Sequence, residues 1–255
     1  MCVRIYPRRL ARATGACRCA CRTFHAMLDA THVWIVIPAL NEARTIGDVV
    51  RPLRACGWHV VVIDDGSADA TAGAARDAGA FVLRHGINLG QGASLRTGFA
   101  FVQRQCLAAV VVTYDADGQH QPEAVAALLD ALVRSGGDVV LGSRFLAGGA
   151  ASSIPPSRRV LLRLATIFTR FTTGLRVTDA HNGLRAFTLP AVARLRLTHN
   201  RMAHASEILS EVARLGLRYI EAPVTVRYTE YSMSKGQRPL EAVAILWDIF
   251  TAGLR

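Results

Sequence analysis

The sequence predicts one α/β domain built on a mostly parallel, Rossmann-like sheet flanked by helices. Three observations carry that prediction. Apolar runs of strand length alternate with helix-length segments from Val33 onward, the pattern of βαβ units. The polar residues of the first half fall at the ends of those apolar runs, where such sheets bind ligands. A chain of 255 residues, 51% hydrophobic and 19% charged, can bury one full core.

Taken in order, "VWIVIPAL" reads as a buried strand and "NEARTIGDVVRPLRACG" as the helix after it. "WHVVVIDDGS" is a second strand, and "ADATAGAARDAG" a small-residue helix ended by Gly79. "AFVLRHG" is a short strand, followed by the helix "GASLRTGFAFVQRQC". "LAAVVVTYDADG" is the fourth strand; the helix "QPEAVAALLDALVRSG" has Pro122 near its first turn, where a missing N–H costs nothing. "DVVLGSRF" is the fifth strand. Gly148 to Pro156 is loop-like, and a helix over Val160–Thr172 leads to the polar insert "TDAHNGLRAF". A helix through "MAHASEILSEVARLG", a strand "YIEAPVTVRY", the loop "TEYSMSKGQR" and a last amphipathic helix "PLEAVAILWDIFTAGL" complete the chain.

Four strands thus deliver polar groups to one edge: Asn41 and Glu42, Asp64 and Asp65, Asp115 and Asp117, Ser143 and Arg144. In "VVVTYDADGQH" two carboxylates stand one residue apart at a strand end and repel each other unless something positive lies between them. A Mg²⁺ or Mn²⁺ ion fits, since these metals take few protein carboxylates and complete their shell with water and substrate phosphates. The competing explanation is that one Asp caps the next helix while the other is solvated. Likewise, Ser67 and Asp69 read as helix caps, but capping does not account for adjacent Asp64 and Asp65, which can accept from a nucleobase N–H or a ribose hydroxyl. No G-x-G-x-x-G follows the first strand and no G-x-x-x-x-G-K-[ST] occurs, which argues against an NAD enzyme and a P-loop enzyme.

The blocks "VIPALNEARTI", "VIDDGSADAT", "HGINLGQGAS", "YDADGQHQPE", "GSRF" and "DAHNGLRAF", in this order, resemble family-2 glycosyltransferases of the GT-A fold, in particular the dolichol- or polyprenyl-phosphate mannose or glucose synthase-like branch. The resemblance spans about Val33 to Gln237. It implies transfer of a sugar, with inversion, from a GDP- or UDP-linked donor to a polyprenyl or dolichyl phosphate, with Mg²⁺ or Mn²⁺ as cofactor. It further implies that Pro38, Leu40 and Glu42 line the nucleotide and that Ile63 and Asp65 hold base and ribose. Asp115, Ala116 and Asp117 would meet ribose, diphosphate and metal, with Gln119 beside the metal and Arg144 facing the phosphates. Gly90 and Gly92 would let the backbone run close to the sheet edge. Arg227 and Lys235 would serve the acceptor phosphate. The chain departs from that branch at Asn182, where serine is usual, and in the longer loop between Arg227 and Lys235.

A phosphate acceptor is already anionic near neutral pH, whereas a sugar-hydroxyl acceptor needs a carboxylate base, for which Asp179 and Glu207 are the candidates. A non-catalytic nucleotide-sugar-binding module is the rival from another class; a broken D-x-D or a missing Arg144 would mark it, and both motifs are intact. His181 and His204 read as local hydrogen-bonding groups.

Of the formal net charge of +11, six units come from arginines in residues 1–26, which hold no acid; the rest is a moderately basic enzyme surface without the basic-aromatic pattern of nucleic-acid readers. Residues 1–30 are expected to be a disordered leader, with Met27 as an alternative start, and its Cys2, Cys17, Cys19 and Cys21 imply no disulfide framework. Residues 31–238 are the expected glycosyltransferase domain and 239–255 the terminal helix, whose Leu240, Val243, Ala244, Trp247 and Phe250 share one face. That face can dock on the core, a membrane surface or a membrane protein partner. No run of about 18 apolar residues occurs, so no transmembrane helix is expected; the enzyme is expected to be cytoplasmic and peripheral on the cytoplasmic face of the membrane.

Overall fold

The computed structural model describes residues 4–5, 29–105, 107–147, 156–200 and 204–226. The strands are β1 (Arg4–Ile5), β2 (Val33–Ala39), β3 (His59–Asp64), β4 (Phe81–Arg84), β5 (Val110–Thr113), β6 (Val139–Ser143), β7 (Arg185–Thr188) and β8 (Tyr219–Pro223). They form one sheet in the order β1-β4-β3-β2-β5-β7-β6-β8. β2 pairs in parallel with both β3 and β5, β3 with β4, and β6 with β8. The antiparallel members are β7, wedged between β5 and β6, and the two-residue β1 on the edge of β4.

The helices are α1 (Ile46–Ala55), α2 (Thr71–Asp77), α3 (Gln91–Val102), α4 (Pro122–Ser135), α5 (Pro156–Thr173), α6 (Leu189–Arg194) and α7 (His204–Arg214). The sheet separates two cores. One face packs Ile35, Ile37, Val60 and Val62 with Leu53 of α1 and Leu128 and Leu129 of α4. The other packs Val36, Val61, Ile63 and Phe187 with Phe99 of α3 and Ile208 and Val212 of α7. Alternate strand residues feed opposite layers, which is why these strands are apolar throughout. α3 lies so close to the sheet that a Cβ at Gly98 would stand 2.9 Å from Ile63 Cδ1 and nearer still to Val36 Cγ1.

The expected elements of the first half all form. In the second half, "RAF" within the polar insert belongs to β7, and α5 starts at Pro156 instead of Val160. Pro122 opens α4, and Gly136 closes it in the left-handed conformation at φ 58°. Among the described residues no helix is long and apolar enough to cross a membrane. Most of the leader, Cys106, Arg227, Lys235 and the terminal helix lie outside the described residues.

Candidate active site

The parallel strands bring their polar C-terminal residues to one edge, and the loops there are stitched together. Asn41, at φ 55°, donates its backbone N–H to Ser67 Oγ (2.9 Å), and its side-chain oxygen accepts from the Ala68 N–H (2.9 Å). The Glu42 N–H donates to Thr71 Oγ1 (2.8 Å), and Glu42 Oε2 accepts from the Thr45 hydroxyl (2.9 Å). The loops after β2 and β3 therefore form one shelf. Pro38 is half-buried on its strand and Leu40 is exposed beside it.

Asp64 and Asp65 both have structural partners, which corrects the expectation that capping leaves them unexplained. Asp64 accepts from the Ser67 N–H (2.8 Å) and lies 3.2 Å from Arg84 Nε. Asp65 is buried, with Oδ1 2.7 Å from His85 Nδ1 and accepting from the Leu89 N–H (3.0 Å), while Oδ2 accepts from the Gly90 N–H (2.7 Å). It fixes the loop after β4. Ile63 is also corrected: its side chain is fully buried in the core beneath the edge, so it supports the shelf without lining it. Replacing Asp65 by alanine strands two backbone N–H groups and His85, and is expected to lower unfolding free energy by about 2–3 kcal/mol in urea melts.

Beyond β5, Asp115 and Asp117 are partly exposed at the edge and Ala116 between them is buried. Asp117 accepts from the Gln119 N–H (3.0 Å), bending the chain so that Gln119 follows on the same edge. Burial, then the Asp115 charge, pushes the Asp117 carboxyl up to about 6. Burial also raises Asp115, opposed by the guanidinium groups of Arg185 and Arg144. His120 Nε2 lies 3.7 Å from Asp115 Oδ2, but burial lowers this imidazole to about 4, leaving it neutral at pH 7. The two carboxyls still repel each other.

The polar insert supplies the other wall. Asp179 holds Arg144 by two parallel bonds, Nε to Oδ2 (2.7 Å) and the second guanidinium nitrogen to Oδ1 (2.8 Å), and Oδ2 also accepts from the Arg144 N–H (3.1 Å). Burial alone would raise the Asp179 carboxyl; the bonds and charge of Arg144 outweigh it and hold the group below its ordinary range. Glu221 of β8 fixes this loop, accepting from the Thr178 N–H (2.7 Å) and the Asp179 N–H (3.3 Å). Glu207 lies elsewhere: it accepts from the N–H groups of Thr198 (2.7 Å) and His199 (3.1 Å) and clamps the loop before α7. That loop packs on the start of α3, where a Cβ at Gly92 would overlap the His199 carbonyl. The close approach at Gly92 is therefore to this loop and not to the sheet edge.

Two residues of the insert carry weight that the sequence did not reveal. A Cβ at position 183 would lie 2.6 Å from Asp115 Oδ1 and closer still to Oδ2, so only glycine leaves room for that carboxylate. Arg185 is buried, donating to the carbonyls of Asn182 (3.1 Å), Ala180 (3.1 Å) and Ala205 (3.2 Å), while one of its nitrogens has no hydrogen-bond partner. Burial lowers it to about 10, so it stays charged and acts on both Asp179 and Asp115. His181 Nδ1 is buried without a hydrogen-bond partner, while the His181 N–H donates to Asp179 Oδ1 (3.3 Å), and burial lowers that ring to about 4.

Among the described residues no cluster of three or more His, Cys, Asp or Glu could enclose a metal unaided. Two mutually repelling carboxylates at an open edge instead suit Mg²⁺ or Mn²⁺, whose remaining ligands are phosphates and water.

Comparison with known proteins agrees with this architecture. The family model described as glycosyl transferase family 2 matches residues 34–196. The undecaprenyl-phosphate mannosyltransferase of Micrococcus luteus is 33% identical over 80% of this chain and 86% of its own. The polyprenol monophosphomannose synthase of Mycolicibacterium smegmatis is 32% identical over 79% of each. The crystal structure of glucosyl-3-phosphoglycerate synthase from Mycobacterium tuberculosis with Mg²⁺ and UDP superposes with a TM-score of 0.68 at 21% identity, over 94% of this chain and 85% of that one; the likeness is one of fold.

Proposed function

The chain belongs to glycosyl transferase family 2, and from that premise we propose that it transfers a sugar from a nucleoside-diphosphate donor to a polyprenyl phosphate, with inversion. One relative is named as an undecaprenyl-phosphate mannosyltransferase and the other as a polyprenol monophosphomannose synthase, and their matches cover most of this chain. The observation that carries the choice of acceptor is the state of the two candidate bases. Asp179 is bonded bidentately to Arg144 with its affinity for a proton lowered, and Glu207 is occupied by the Thr198–His199 backbone. A sugar hydroxyl would need one of them free; an ionised phosphate needs neither.

In this reading Pro38, Leu40 and Glu42 border the nucleotide, and Asp65 acts through the loop it anchors. Asp115, Asp117 and Gln119 would hold Mg²⁺ or Mn²⁺, which when bound would neutralise charge on the diphosphate. An acceptor phosphate oxygen forms the new bond to the anomeric carbon while the bond to the diphosphate breaks, the departing oxygen keeping the electron pair. Arg144, oriented by Asp179, faces the phosphates where donor and acceptor meet and stabilises that growing charge. Arg227 and Lys235 are assigned to the acceptor phosphate. The chain works peripherally at the cytoplasmic membrane face.

The test is a panel of GDP- and UDP-sugars with Mg²⁺ or Mn²⁺, offered either polyprenyl phosphate or a free oligosaccharide. Release of nucleotide diphosphate with the lipid phosphate and not with the oligosaccharide is expected. The reverse preference would overturn the acceptor assignment.

A further inference from the structure

Arg144 sits in a turn that is held from two sides, and both holds lead to Glu221 of β8. On one side the Asp179 carboxylate grips the Arg144 guanidinium and backbone N–H. On the other the Phe145 N–H donates to Ser143 Oγ (3.2 Å), and Ser143 Oγ lies 2.6 Å from Thr178 Oγ1. Thr178 and Asp179 then converge on a single atom. Glu221 Oε1 accepts from the Thr178 N–H (2.7 Å), the Thr178 hydroxyl (3.0 Å) and the Asp179 N–H (3.3 Å). The Thr178 hydroxyl has one proton and gives it to Glu221, so it is the Ser143 hydroxyl that donates to Thr178. The donors thus run in one direction, from Phe145 through Ser143 and Thr178 to the carboxylate that ends the chain. The strand that carries Glu221 also fixes the backbone entering the turn: β8 lies beside β6 with Glu221 opposite Leu141, and the Val224 N–H donates to the Ser143 carbonyl (2.9 Å).

We propose that Glu221 is a positioning residue for sugar transfer: by ending both branches it fixes the direction in which Arg144 presents its guanidinium to the breaking bond between sugar and diphosphate. A donor stabilises developing charge best when it is aimed at that charge before the reaction begins. A misplacement of about 1 Å costs on the order of a hundredfold in rate. Asp179 can aim Arg144 only as well as its own loop is held, and that loop, between α5 and β7, hangs on Glu221 through two N–H groups and a hydroxyl. Glu221 is not a third candidate base, because the oxygen that faces the site is filled by these three donors; it acts through Asp179 and Thr178. The proposal rests on the reading that Arg144 meets the charge of the departing diphosphate, and it is independent of which acceptor takes the sugar.

The test compares Glu221→Ala and Glu221→Gln in the full chain, alone and in an Arg144→Lys background, by steady-state kinetics, calorimetric nucleotide binding and melting curves. Glu221→Ala is expected to lower kcat about tenfold or more while donor KM and nucleotide affinity change by less than about twofold, since neither the nucleotide shelf nor the Asp115–Asp117 edge belongs to its chain of bonds. Glu221→Gln keeps an oxygen that accepts from both N–H groups and should recover most of kcat. Lysine at position 144 cannot make the two parallel bonds to Asp179, so in that background Glu221→Ala should cost less than about a further twofold. A lower melting temperature with unchanged kcat per nucleotide-binding site, or the same loss of kcat in both backgrounds, would overturn the proposal. Thr178→Val removes the hydroxyl branch and keeps the shape, so the test does not depend on the alanine variant folding; it should lower kcat with KM unchanged, and an unaltered kcat would count against the proposal equally. An Arg144→Lys chain as active as the wild type would instead refute the role given to Arg144 in the transfer.

Discussion

Replacing Asp117 by alanine is expected to lower turnover at least about a hundredfold while the protein still folds. The reason is electrostatic. Asp115 and Asp117 crowd two carboxyls at the end of β5, and burial with mutual repulsion already pushes Asp117 up to about 6. A site that carries this cost in the free protein would recover it on holding a divalent cation, whose charge would offset the negative charge that develops as the diphosphate leaves. Removing Asp117 relieves the free protein and weakens the loaded one. Thermal stability should hold or rise slightly while turnover collapses; a parallel loss of both would make Asp117 a structural residue. Asn at this position keeps the shape and loses the charge, and is expected to be nearly as inactive.

Gly183→Ala is expected to cost a comparable factor through a different cause. The added methyl would stand 2.6 Å from Asp115 Oδ1 and nearer to Oδ2, so it meets the carboxylate itself. Either Asp115 leaves its place or the Asp179–Gly183 loop retreats, and the loop is pinned by Glu221 and by the Arg185 bonds to Ala180 and Asn182. A carboxylate displaced by about 1 Å loses on the order of a hundredfold in rate when it positions reacting groups. Steady-state kinetics with a melting curve check this; unchanged turnover would show that Asp115 can move without consequence.

The first half of the fold was legible because each buried strand ends in its own polar residues, so one pass along the chain locates both the sheet and its binding edge. β7 was not. Its four residues follow a polar turn, Asp179 to Gly183, and nothing local announces that the chain reverses to slot between β5 and β6. The motif "DAHNGLRAF" was visible, but its function in the structure depends on contacts with β5 and β6 from far along the chain. The Asp179–Arg144 pair spans 35 residues, and the fit of Gly183 against Asp115 spans still more. Asp65 shows the reverse case: a pattern that suggests a ligand contact is occupied by His85 and the Gly90 backbone once the loop after β4 folds back. Periodicity likewise located α5 but not its orientation, because a 3.6-residue repeat marks an apolar face without saying which side meets protein.

The central claim is that the edge formed by Asp115 and Asp117 binds a nucleoside diphosphate through a divalent cation. Calorimetric titration of the full chain with GDP and with UDP, in Mn²⁺ and again in excess chelator, tests it most directly. At least one nucleotide should bind in Mn²⁺, lose affinity by about tenfold or more in chelator, and lose it equally in the Asp117→Ala protein. Equal affinity in the presence of chelator, or undiminished Mn²⁺-dependent binding by Asp117→Ala, would contradict the account.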